Sequence, residues 1–133
     1  MIDANEINNE LDGNKLEAIE QDGFLEIVVN SQAFLRDEAK EFQTLTGEAV
    51  LQGLTKFLIN FNDCQYISSE GLGCIAEFWR KCSENEEHEM VSLFNKKSVN
   101  ELLNFFEIIG LARVMKGYIF TDYTKAKNFI MKK

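Results

Sequence analysis

Proline is absent from all 133 residues, so every chain reversal falls to Gly, Asn, Asp and Ser, and no segment is stiffened by a locked φ. Histidine occurs once, as His88, and cysteine three times, as Cys64, Cys74 and Cys82, with no Cys-x-x-Cys pair. That spacing does not make a zinc site, and an odd, scattered set of thiols beside apolar segments reads as reduced core cysteines, not a disulfide frame. His88 falls in the acidic stretch 83–89 and reads as a solvated loop residue. It leaves Cys64 without a base, and no Gly-x-Ser-x-Gly elbow is present, so no catalysis, metal or cofactor is expected of this chain. Basic residues are few. With 14 Lys and Arg against 22 Asp and Glu, the net charge is −8, which excludes a nucleic-acid partner needing a Lys/Arg patch. No apolar run approaches the roughly 20 residues that cross a bilayer. The opening Met1-Ile2-Asp3-Ala4-Asn5-Glu6 lacks the basic-then-apolar layout of a signal peptide. The expected location is cytoplasmic, without membrane insertion.

What the chain does have is material for a core: 45% of its residues are apolar and 11 are Phe, enough for one domain of ordinary size. Residues 1–14 are polar and rich in Asn and Glu and read as an N-terminal arm, leaving 15–133 as the domain. Periodicity predicts strands over 16–21 and 24–29 joined through Asp22-Gly23, a hairpin turn pair. Ala39, Phe42, Leu45, Ala49 and Val50 form a helical stripe over 37–53. The dense run Phe57-Leu58-Ile59-Asn60-Phe61 is too short for a helix and fits a central strand covered on both faces. A helix over 69–82 is expected to bury Leu72, Ile75, Ala76 and Trp79. A strand over 90–94 follows, then a helix opened by the capping box Ser98-Val99-Asn100-Glu101 and closed by Gly110. A strand over 118–120 and a terminal helix carrying Ala126, Phe129 and Ile130 complete the order β-β-α-β-α-β-α-β-α. Strands alternating with helices define an α/β domain with helices packed on the sheet.

The segment Ser68-Ser69-Glu70-Gly71-Leu72-Gly73 is the most informative in the chain, because it puts hydroxyls and glycines where a strand hands over to a helix. The first amides of a helix have no intrahelical partner and carry the positive end of its dipole, so an oxygen or a phosphate is favoured there. Ser69 reads either as a helix cap or as a phosphoacceptor. Gly71 and Gly73 read either as tight packing points or as places where a partner's backbone comes close. A second possibility, Asp63 as an aspartyl phosphoacceptor, lacks the further acidic pair that a magnesium site requires, and Asp63 reads better as a turn residue.

The run 57–61 followed by Tyr66-Ile67-Ser68-Ser69-Glu70-Gly71-Leu72-Gly73 resembles the signature of the STAS domain, the fold of bacterial anti-sigma-factor antagonists and of the cytoplasmic end of sulfate transporters. Ile108-Ile109-Gly110-Leu111 and Phe120-Thr121-Asp122-Tyr123 are similar to later segments of that family. The resemblance implies a single STAS-like domain with a mixed β-sheet, and it places Ser69, with Ser68 as the alternative, at the family's phosphoacceptor position. It further implies a partner-binding loop of Ser68, Glu70, Gly71, Leu72 and Gly73. The implied partners are a serine kinase of the histidine-kinase-like ATPase type, itself the anti-sigma factor, and a PP2C-type phosphatase. Unphosphorylated, such a domain holds the kinase; phosphorylated, it is released. The alternative is a STAS adaptor subunit that docks in a signalling or transport complex without being phosphorylated. Glu84, Glu86, Glu87 and Glu89 form an acidic stretch able to steer a basic partner, or simply a solvated loop.

Overall fold

The computed structural model describes residues 16–85, 87–97 and 117–131. The expected helix over 98–110 and the arm over 1–14 lie outside these residues. Leu16–Gln21 (β1) and Phe24–Val29 (β2) pair antiparallel, Leu16 opposite Val29 and Gln21 opposite Phe24. Gly23 supplies the positive φ of 93° that the two-residue turn needs. Lys56–Phe61 (β4), Glu89–Phe94 (β6) and Ile119–Phe120 (β7) extend the sheet in parallel to the order β1-β2-β4-β6-β7. The sheet is therefore mixed, as expected, with β4 at its centre.

Side chains alternate across a strand, and β4 sends Phe57, Ile59 and Phe61 to one face and Leu58 to the other, all fully buried. The first face is covered by Arg36–Leu51 (α1) and Ser69–Ser83 (α2), the second by Tyr123–Met131 (α3). Phe94, Phe61, Phe34, Phe42, Phe78 and Phe57 run through the α1/α2 side as one chain of ring contacts, each step 5.0–5.9 Å between centroids. Two expectations about phase are corrected. In α2 Leu72 and Ile75 are buried as expected and Phe78 joins them, while Ala76 and Trp79 are only half-buried, Trp79 lying edge-on to Tyr118 at the flank. In α1 Thr46 is buried in place of Val50, which is exposed; the Thr46 hydroxyl is satisfied by donating to the Phe42 carbonyl at 2.7 Å.

The opposite face holds a buried carboxylate. Glu26 of β2 accepts from Gln21 Nε2 at 3.0 Å, Asn60 Nδ2 at 3.0 Å and Tyr123 Oη at 2.8 Å, the partners a buried charge needs. Burial, the hydroxyl's bond to Glu26 and the negative charge there push the Tyr123 phenol up to about 12. A pKa raised on folding favours the protonated form of the native state, so this contribution is complete below the unfolded value of about 10 and is lost as pH rises through the folded value. We expect the wild-type melting temperature to fall between about pH 10 and the folded value of about 12 more steeply than that of Tyr123→Phe. Parallel pH profiles in thermal melts would refute the coupling.

Candidate functional site at the head of helix α2

Beyond β4 the chain turns through Asn62 and Asp63, and the Cys64 amide returns to the Phe61 carbonyl at 2.9 Å. Asp63 is exposed in that turn. Beside it, at the C-terminal ends of β2, β4 and β6, lies a polar hollow of about 600 Å³ lined by Asn30, Asn62, Asn95 and Lys97 among others. A two-residue parallel ladder then forms that periodicity cannot reveal: Ala33–Phe34 (β3) against Tyr66–Ile67 (β5). Amides of Gln65 and Tyr66 donate to the Gln32 carbonyl at 2.7 and 3.2 Å, and the Ser68 amide to the Phe34 carbonyl at 3.0 Å. This ladder delivers the Ser68-Ser69 pair to the start of α2 in a fixed register.

Ser68, with an extended backbone (φ −74°, ψ 167°), is the N-cap, and its Oγ accepts from the Gly71 amide at 3.1 Å. The capping role that the sequence offered to Ser69 therefore belongs to Ser68. Ser69 is the first helical residue and is exposed, and among the described residues its hydroxyl makes no hydrogen bond. Glu70 follows in the first turn, where the dipole favours an acid, and its carboxylate meets Arg36 Nε at 3.3 Å, with about two thirds of each side chain in solvent (59% and 69%). Gly71 and Leu72 turn inward. Leu72 is fully buried, and a Cβ on Gly71 would lie 2.5 Å from Phe34 Cδ1 and 2.7 Å from the Phe34 carbonyl oxygen. Of the predicted loop, the surface thus receives Ser69, Glu70 and Gly73, with Ser68 half-buried.

Two further surface residues escaped sequence reasoning. Phe34 and Ile67 point inward from the small ladder, so alternation turns their neighbours Leu35 and Tyr66 outward, 43% and 58% exposed. Neither stretch announces this: Ala33-Phe34-Leu35 is an apolar run of three, and Tyr66-Ile67 is too short to display alternation. An exposed Tyr and Leu beside a free hydroxyl give the spot apolar contact area as well as a modifiable group.

The thiols are free and quiet. Burial raises the Cys64 pKa, and its Sγ–H donates to the Tyr66 carbonyl at 3.3 Å; burial and then the Glu70 charge raise Cys74; burial pushes Cys82 up to about 12. His88 is half-buried where the acidic loop meets β6, not fully solvated as expected, and its amide donates to the Asn85 carbonyl at 2.9 Å. No described helix is long and apolar enough to cross a membrane.

The β-β-α-β-α frame and the mixed sheet together make the α/β fold expected of a STAS-like domain. No family model matches the sequence, and no curated protein matches it. Solved structures do. An anti-sigma factor antagonist from Mycobacterium paratuberculosis superposes with a TM-score of 0.70 at 15% identity, over 86% of this chain and 92% of that one. The anti-sigma factor antagonist SpoIIAA in its unphosphorylated form gives 0.67 at 14% identity, over 86% and 95%. The murine Solute Carrier 26 family member A9 anion transporter in the inward-facing state gives 0.63 at 12% identity, over 88% of this chain but 19% of the transporter. At such identities the likeness establishes the fold.

Proposed function

We propose that this protein is an anti-sigma-factor-antagonist-like phosphoswitch with Ser69 as its phosphoacceptor. The observation that carries the reading is the division of labour at the head of α2: Ser68 caps the helix, so the exposed Ser69 hydroxyl has no structural duty. Two structural neighbours being anti-sigma factor antagonists supports the partner class. Unphosphorylated, the surface of Ser69, Glu70, Gly73, Leu35 and Tyr66 docks a serine kinase of the histidine-kinase-like ATPase type that is also the anti-sigma factor. A phosphate on Ser69 adds about −1.5 to −2 charge, and burying an unpaired dianion costs several kcal/mol, so the complex separates without any change of fold. A PP2C-type phosphatase resets the cycle, and all three proteins meet in the cytoplasm.

Phosphopeptide mass spectrometry on the protein from its own cells tests this. We expect phosphate on Ser69 that disappears in Ser69→Ala. A chain never modified at Ser69 or Ser68, in growth or under stress, would overturn the switch. That result would favour the second reading, a constitutive STAS adaptor, which draws support from the transporter among the structural neighbours and from Glu70, an acid already present at the surface.

A further inference from the structure

Arg36 occupies an electrostatically odd place. It is the first residue of α1, where the helix dipole disfavours a cation, and two acids, Asp37 and Glu38, follow it. Of these, Glu38 is turned inward, its Oε1 accepting from the Leu35 amide at 2.9 Å. Arg36 instead reaches across to the head of α2 and holds Glu70, the residue next to Ser69, at 3.3 Å. An ion pair this exposed is weak and is readily exchanged. A guanidinium offers a planar fork of donors, and a phosphate dianion accepts from it bidentately and more strongly than a single carboxylate oxygen does.

We propose that Arg36 is the side chain that answers a phosphate on Ser69: it leaves Glu70, turns onto the phosphate, and sets how much of the new charge faces a partner. The inference rests on Ser69 as the phosphoacceptor. Before modification the Arg36–Glu70 pair is neutral, and the docking surface presents no net charge from this pair. After it, Arg36 cancels part of the phosphate while Glu70, now unpaired beside a dianion, adds its own charge. The docking surface thereby gains two separated negative groups from one modification, and Arg36 is the positioning residue that keeps the phosphate against the protein.

The test uses the full chain with phosphoserine installed at position 69 during synthesis, and follows the phosphate by ³¹P NMR across its second ionisation. An exposed phosphoserine loses its second proton near about pH 6. A guanidinium in contact favours the dianion, and we expect a wild-type midpoint lower by about half a pH unit. Arg36→Gln should bring it back to the exposed value, and Glu70→Gln, which frees Arg36 and removes a like charge, should lower it further. Lys81→Gln controls for loss of any cation: twelve residues along α2 from Ser69, Lys81 stands roughly 18 Å away, beyond the screening length. Equal midpoints in wild type and Arg36→Gln, or an equal rise in Lys81→Gln, would overturn the proposal. Phosphate found on Ser69 in cells stands or falls separately, since the titration reads a phosphate installed without any kinase.

Discussion

Gly71→Ala will melt well below wild type, while Gly73→Ala, two residues along the same helix, will melt slightly above it. Alanine is the better helix former by about 1 kcal/mol, and at Gly73 nothing lies within 4 Å of the added carbon, so that gain is realised in full. At Gly71 the carbon would meet the Phe34 ring at 2.5 Å and the Phe34 carbonyl at 2.7 Å. The ring has no room to retreat, being edge-on to Phe42 and Phe61 at 5.9 and 5.7 Å. Nor is the carbonyl free, because it accepts from the Ser68 amide and so holds the β3–β5 ladder. Overpacking of this kind costs roughly 3 kcal/mol where backbone must move. Net of propensity, about 2 kcal/mol remains, a fall of about 6–10 °C for a domain of this size. Thermal melts of the two variants decide it; equal shifts of the same sign would show that α2 and β3 are not in the contact described.

The consequence extends to the site. Gly71 sets how closely α2 approaches β3, and Leu35, Arg36 and Tyr66 all sit on the pieces that this contact joins. Under the proposed switch, a backbone pinned this way keeps its course when a phosphate is added, and only side chains such as Arg36 need turn.

The sequence carried the larger elements because they are long enough to show a period. The hairpin through Asp22-Gly23, the run 57–61 and, apart from Val50, the stripe of α1 appear where expected. The ladder of β3 and β5 was illegible because two residues display no alternation, and its hydrogen bonds are backbone bonds that any sequence could make. The choice of Ser68 over Ser69 as cap depends on the backbone angle at a single residue, which composition does not encode. The phase of α2 slipped for a similar reason: Phe78 fills the space between Phe42 and Phe57, at 5.6 and 5.0 Å, and those rings come from elements far away in sequence. Exposure of Leu35 and Tyr66 follows from the ladder and was hidden with it.

Phe34→Ala will be the most damaging single change near the site, and it will not add to Gly71→Ala. Phe34 is fully buried at the middle of the chain of rings, between Phe42 and Phe61, and it stands on the strand that fixes Ser68. Removing a buried Phe ring costs about 3–5 kcal/mol through lost transfer energy and the cavity left behind. That is a large share of the roughly 5–15 kcal/mol that keeps a domain folded. In the double variant, however, the ring that opposed the methyl added at Gly71 is gone, and that methyl fills part of the hole. Only the contact with the Phe34 carbonyl remains. We expect the double variant to lose at least about 1 kcal/mol less than the sum of the two single changes, the coupling of residues in contact. Urea unfolding of the four proteins measures it, and strict additivity would mean that the Gly71 clash lies with the backbone alone. If Phe34→Ala cost no more than a surface substitution, about 0.5 kcal/mol, the ring would not be a member of the core at all.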